Sequence, residues 1–311
     1  MKFCAIDNDL FSRYEAAEEE LKALRPYGEF VNGKLDATDD EKVALAKGCE
    51  VAFFGTAVLS NDVISRLPDL RILQFLGTGV ANYVDTTFCA ERGIKVLNVE
   101  EYGSNAVAEF AVAMVFSALR NIPLSDARAK RHVWNYENME GLELAGSAVG
   151  VVGTGKIGAM VAQKLHALGA GKIYAFDIFQ NRDLIKNCDV AYTTLEELFR
   201  ESDIVTIHLK YMDETYGIVT RSLIESMKPS AIFVNTARAE LVDYEALEEA
   251  VRERRIRGAA LDVYYQEPPA NWSICGHENV VSTTHIGFFT KNAKRNLIRN
   301  AVRSVIDSLI D

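Results

Sequence analysis

Short apolar runs alternate with amphipathic stretches along the whole chain, the pattern expected of βα units wound around parallel sheets. In the first part, Phe3–Ile6, Val51–Phe54, Ile72–Phe75 and Lys95–Leu97 predict strands. Tyr14–Leu24, Asn61–Leu67 and Tyr83–Arg92 predict helices, several opening on Ser or Asn, whose side chains accept the free N–H groups of a first turn. From Gly103 to Arg120 the chain reads as one long helix rich in Ala and Val, with Glu109 and Arg120 its only charges. Such a helix is expected to be buried as a bridge between two domains. A second series follows, with strands at Ala148–Val152, Ile173–Phe176, Ile204–Ile207, Ala231–Asn235, Gly258–Leu261 and Asn279–Ser282, a set that suits a dinucleotide-binding sheet. The chain closes on an amphipathic helix, Lys291–Ile310, outside any further βα unit and expected to return to the first domain.

A length of 311 residues exceeds the usual single core, and 49% apolar with 25% charged residues is ordinary globular composition. The net charge of −10 and the lack of a Lys/Arg stripe argue against nucleic acid and anionic membranes as partners. Asp7 and Asp9 interrupt the start where a signal peptide needs an apolar stretch, and Phe110–Leu119 is too short to span a bilayer, so a soluble cytoplasmic protein is expected. Cys4, Cys49, Cys89, Cys188 and Cys275 lie far apart with no metal-ligand spacing, which reads as reduced, mostly buried thiols and no metal site.

One motif changes the picture. Gly153-Thr-Gly155-Lys-Ile-Gly158 follows an apolar strand and opens a helical pattern, Met160–Leu168. Gly153 suits the tight turn, Gly155 lets backbone approach a pyrophosphate, and Gly158 lets the helix pack closely on the strand. The helix N-terminus then faces the phosphates. Asp177 ends the next strand, at the distance expected of a ribose-binding carboxylate, and a carboxylate there repels a 2′-phosphate. NAD is therefore the expected cofactor; Arg182, five residues on, keeps NADP in view.

Arg238, Glu267 and His285 each stand just after an apolar strand, at the end of a parallel sheet where ligands bind. Separately each has a bland reading: a surface arginine, a turn glutamate, a capping histidine. Together they suit hydride transfer at a carbinol carbon. Histidine titrates in the range needed to take or give the hydroxyl proton. A neighbouring carboxylate stabilises the imidazolium. A guanidinium clamps a carboxylate.

The segments Val149–Gly158 with Asp177, Met227–Arg238 leading to Leu241-Val-Asp243, Ala260–Pro268 and Thr284-His285-Ile-Gly287 resemble those of the D-isomer-specific 2-hydroxyacid dehydrogenase family, and the likeness covers nearly the whole chain. It implies that Arg238 binds substrate, Glu267 orients and charges the base, and His285 is the acid/base. It further implies that Gly77-Thr78-Gly79 offers N–H groups to the substrate carboxylate, as a Gly-rich turn after a strand can. Cofactor contacts are implied at Lys156, Ile157, Thr236, Ala237 and Asp262, with His208 structural or lining the cofactor pocket and Ser104 and Asn105 in a hinge stretch. His132, His166 and His277 read as bystanders, His277 alone being a rival base. Departures from the family pattern are Lys210, Ala239, Glu100-Glu101-Tyr102 and Phe288. Phe288 would line the substrate pocket, and the absence of an arginine in Gln74-Phe75-Leu76 points to a non-phosphorylated substrate.

The expected fold is thus α/β: a Rossmann-type doubly wound parallel sheet for NAD over 99–286, and a smaller flavodoxin-like substrate domain over 1–98 and 287–311. The expected function is NAD-dependent hydride exchange with a small 2-hydroxy or 2-oxo acid in a closing cleft, by a homodimer built on the Gly103–Arg120 helix and the arm through Trp134. The alternative from another class is an NAD(H)-sensing binding protein. Retention of Arg238, Glu267 and His285 together argues against it.

Overall fold

The computed structural model describes residues 1–7, 19–33 and 37–310. Contacts divide it into two compact units, Met1–Gly103 with Phe289–Asp311, and Ser104–Phe288.

The first unit holds β1 (Lys2–Ala5), β2 (Glu29–Asn32), β3 (Val51–Phe54), β4 (Ile72–Phe75) and β5 (Lys95–Leu97), all parallel in the order β2-β1-β3-β4-β5. That is the flavodoxin-like order. β3 and β4 are buried on both faces, which explains their unbroken apolar runs. One face packs Leu73 and Phe75 with Val63, Ile64 and Cys89 of the helices Asn61–Ser65 and Thr86–Glu91. The other packs Phe53 and Ile72 with Leu297, Ile298, Ala301 and Val305 of the helix Lys291–Ile310. Residues 14–18 of the expected helix Tyr14–Leu24 lie outside the described residues; in its remainder, Lys22–Leu24 is a 3₁₀ turn. The strand Glu29–Asn32 has no counterpart in the apolar pattern because it is an edge strand, half-exposed along its length.

The second unit holds β6 (Val149–Val152), β7 (Ile173–Phe176), β8 (Val190–Tyr192), β9 (Ile204–Ile207), β10 (Ile232–Asn235), β11 (Gly258–Leu261) and β12 (Val280–Ser282). All pairs are parallel, in the order β12-β11-β10-β9-β6-β7-β8. The order reverses between β6 and β9, the switch point at which a doubly wound sheet binds its ligand. The sheet has a seventh strand, β8, short and at the edge, beyond the six that the apolar runs predict. Helices Ser104–Leu119 and Lys156–Ala167 cover one face; Leu195–Glu201, Arg221–Glu225 and Tyr244–Arg252 cover the other.

The Ser104–Leu119 helix corrects one expectation. It is buried along one stripe, through Ala108, Ala111, Met114, Val115, Ala118 and Leu119, while Asn105, Glu109 and Ala113 are exposed. Packing against one layer of a sheet shields only one side of a helix, however apolar the rest.

Candidate active site

The turn after β6 is shaped by its glycines. Gly153 has φ +92°, and a Cβ there would stand 2.6 Å from Leu209 N. A Cβ at Gly158 would lie 1.9 Å from the Gly153 carbonyl oxygen. A Cβ at Gly155 would meet nothing within 4 Å, so the middle of the turn opens onto free space at the start of the helix Lys156–Ala167, with Lys156 and Ile157 in its first turn. At the end of β7, Asp177 Oδ2 accepts Thr154 N–H at 2.6 Å and Oδ1 accepts Phe179 N–H at 3.1 Å. Asp177 also lines an open cavity of about 400 Å³. Thr236, just past β10, is buried with its hydroxyl oxygen unpartnered among the described residues. An open glycine cradle at a helix N-terminus, a carboxylate at a cavity edge and an orphaned buried hydroxyl together fit a dinucleotide.

His208 follows β9, its Nε2 2.9 Å from Thr206 Oγ1. Burial pushes its imidazole down to about 3, so the ring is neutral at physiological pH.

Arg238, Glu267 and His285 follow β10, β11 and β12, three neighbouring strands whose parallel direction brings their carboxyl ends to one edge of the sheet. His285 Nδ1 lies 2.6 Å from Glu267 Oε2, both side chains 34% exposed. An ionised carboxylate only accepts, so the proton on this bond resides on Nδ1 and Nε2 remains for exchange. Glu267 Oε1 accepts Tyr264 N–H at 3.0 Å. Partial burial raises the Glu267 carboxyl, but the hydrogen bond and charge of His285, the Tyr264 N–H and the charge of Arg238 outweigh it and hold the group below its ordinary value. The carboxylate is therefore ionised at neutral pH.

Two groups that pattern reading did not single out shape this edge. Asn235, fully buried, accepts Ala237 N–H with Oδ1 at 3.0 Å and donates through Nδ2 to the Arg238 carbonyl at 2.9 Å, bracing the loop that carries Arg238. Thr283 donates its hydroxyl to Asp262 at 2.7 Å. Asp262, implied as a cofactor contact, is buried and turned toward the His285 loop. Its Oδ1 also accepts Ile286 N–H at 2.9 Å, and its Oδ2 accepts Gly287 N–H at 2.9 Å. Between these anchors His285 adopts φ +55°, a conformation costing roughly 1 kcal/mol or more that persists only where surroundings impose it. Sequence position alone marks Asn235, since buried polar residues at strand ends are there to be bonded.

The Gly77-Thr78-Gly79 bend belongs to the other unit, after β4. Gly77 O accepts Val99 N–H at 2.9 Å and Asn98 Nδ2 donates to Thr78 O at 3.0 Å, while the three N–H groups of the bend have no acceptor among the described residues. His132 and His166 lie outside the sheet edge that carries His285; His277 ends a 3₁₀ turn before β12.

Fold and turn together define a dinucleotide-binding domain with a histidine–carboxylate pair at the carboxyl ends of its strands. Residues 112–287 match the NAD binding domain of the D-isomer specific 2-hydroxyacid dehydrogenases. The aromatic 2-oxoacid reductase of Clostridium sporogenes is 32% identical over 306 residues, covering 92% of each chain. The D-3-phosphoglycerate dehydrogenase of Methanocaldococcus jannaschii is 34% identical over 281 residues, 89% of this chain but 53% of its own. The chain thus spans about half the length of its phosphoglycerate dehydrogenase relatives. Among solved structures, apo D-lactate dehydrogenase from Escherichia coli superposes with a TM-score of 0.86 at 26% identity, over 100% of this chain and 97% of that one. The chain belongs to the D-isomer specific 2-hydroxyacid dehydrogenase family, and its cofactor is NAD.

Proposed function

We propose that this protein is an NAD-dependent reductase of a small, non-phosphorylated 2-oxo acid, run in reverse as a D-2-hydroxyacid dehydrogenase. The observation that carries the reading is the 2.6 Å His285–Glu267 pair on the same sheet edge as the glycine turn. Gly153, Gly155 and Gly158 with Lys156 and Ile157 would hold the pyrophosphate, Asp177 the ribose, and His208, Thr236, Ala237 and Asp262 would border the rest of the cofactor. When bound, the nicotinamide supplies or receives the hydride. His285 Nε2 gives a proton to the carbonyl oxygen in reduction and takes it back in oxidation. Glu267 balances the imidazolium charge, and Arg238 binds the substrate carboxylate beside the reacting carbonyl. The Gly77-Thr78-Gly79 bend, in the other unit, is kept as a candidate anion nest.

The relatives differ in substrate, from phosphoglycerate to aromatic 2-oxo acids. Absence of an Arg or Lys between Gln74 and Asn82 supports an unphosphorylated acid. Purified protein is mixed with NADH and a panel of pyruvate, glyoxylate, hydroxypyruvate, branched and aromatic 2-oxo acids, with 3-phosphoglycerate and NAD in the reverse direction. Turnover should fall about 10²–10⁴-fold in His285→Ala and at least about tenfold in Glu267→Gln, with NADH affinity retained. Preference for 3-phosphoglycerate would overturn the substrate class. Tight NADH binding without turnover on any acid would favour an NAD(H)-sensing protein.

We also propose a cytoplasmic homodimer. Trp134 and Tyr136, 92% and 83% exposed, sit on an arm held by Arg128 through Asn135 Oδ1 and Glu137 O, and the apolar helix Ser104–Leu119 is itself only half covered. Exposed aromatics on a braced loop suit a second copy. A single monomeric species in sedimentation at micromolar concentration would remove the claim.

A further inference from the structure

Asp177 does not act from an isolated position. Besides the two main-chain N–H groups it accepts, its Oδ2 lies 3.4 Å from the Thr154 hydroxyl. That hydroxyl accepts the Tyr192 phenol at 2.8 Å, and the phenol oxygen accepts Asn181 N–H at 2.8 Å. Each hydroxyl has one proton to give. Tyr192 gives its proton to Thr154, which leaves the Thr154 proton to point at Asp177. Asn181 N–H, Tyr192, Thr154 and Asp177 therefore form one head-to-tail chain ending on a negative charge, and each bond polarises the next. Thr154 is buried within the glycine turn, while Tyr192 lines the same cavity as Asp177.

We propose that Tyr192 is a positioning residue for the cofactor's ribose: through Thr154 it holds Asp177 in the orientation that accepts a 2′-hydroxyl and opposes a 2′-phosphate, and so sets the preference for NADH over NADPH. The inference rests on assigning Asp177 to the ribose. Without the phenolic proton, the Thr154 hydroxyl loses the partner that fixes its orientation and polarises its bond to Asp177, so its hold on the carboxylate weakens. Asp177 then depends mainly on its two main-chain donors and gains freedom to swing out of the cavity edge. Arg182, exposed in the first turn of the helix Arg182–Cys188, is the next basic residue along the chain to meet a 2′-phosphate.

The test is titration of NADH and of NADPH against the full chain, followed by calorimetry, for wild type, Tyr192→Phe, Thr154→Val and the double variant, with melting curves to verify folding. Loss of one hydrogen bond on this path should weaken NADH about fivefold. NADPH should be unchanged or tighter, so the preference narrows by at least that factor. The double variant should be no worse than the weaker single, since both break one chain. Equal weakening of NADH and NADPH, an unchanged preference, or additive losses would each overturn the proposal. If Tyr192→Phe fails to fold, Thr154→Val carries the same test. Asp177→Ala separates the two levels: if it leaves the preference unchanged, the ribose assignment itself fails, whatever Tyr192 does.

Discussion

Gly155 and Gly158 stand three residues apart in one turn, yet replacing each by alanine should have opposite consequences. At Gly158 the new methyl would lie 1.9 Å from the Gly153 carbonyl oxygen and 3.0 Å from its carbon, with His208 Cβ at 3.2 Å. The obstacle is backbone, so relief requires the turn and the helix Lys156–Ala167 to separate. Overpacking of this kind costs about 1–3 kcal/mol. For a unit of this size that corresponds to a melting temperature lowered by roughly 2–12 °C. At Gly155 the methyl meets nothing within 4 Å, and the φ of −62° is open to any residue. Stability should then stay within about 0.5 kcal/mol of wild type. The same methyl fills the space through which the cradle reaches a pyrophosphate, and NADH affinity should fall at least about tenfold. Melting curves and NADH fluorescence titration on both variants separate the effects. Gly158→Ala melting with wild type would show that the carbonyl yields without cost. Gly155→Ala binding NADH normally would show that the open space is not the phosphate cradle.

Two further outcomes follow from buried groups. His208 is held neutral down to about pH 3 in the folded chain, whereas an unfolded histidine protonates near 6.5. Between these values the unfolded state binds more protons, so stability falls as pH drops below 6.5, by about 1.4 kcal/mol per unit from this residue. Urea melts at pH 7 and pH 5 should differ less in His208→Gln than in wild type by up to about 2 kcal/mol; parallel behaviour would deny the burial argument. Asp262→Ala strips the acceptor from Ile286 N–H and Gly287 N–H, each worth about 1–3 kcal/mol when left unpaired, and leaves the Thr283 hydroxyl only the Leu261 carbonyl at 3.3 Å. Amide exchange should accelerate across 283–287 and turnover should fall more than NADH affinity; unchanged exchange there would show that His285 is held by something else.

Much of this molecule was legible before any coordinates. The runs Val51–Phe54, Ile72–Phe75, Ile204–Ile207 and Gly258–Leu261 are strands at the residues expected, because a parallel strand buried on both faces has no choice but a continuous apolar run. Glu29–Asn32 and Val190–Tyr192 escaped for the converse reason: edge strands keep solvent on one side and need no such run. The Ser104–Leu119 helix misled through composition, since apolarity all round did not entail burial all round.

The site divides along the same line. Sequence by itself determined the glycine turn, because a turn with a positive φ beside a closely packed helix excludes side chains at particular spacings, and spacing is a one-dimensional property. It also determined which residue types were available for proton transfer. What only tertiary structure decided is which of them meet: Glu267 and His285 are eighteen positions apart and come within 2.6 Å because β11 and β12 are parallel neighbours. Asp262 faces the His285 loop, and Tyr192 reaches back across β7 to Thr154, for the same reason. Strand order and direction bring together side chains whose separation along the chain carries no trace of the contact.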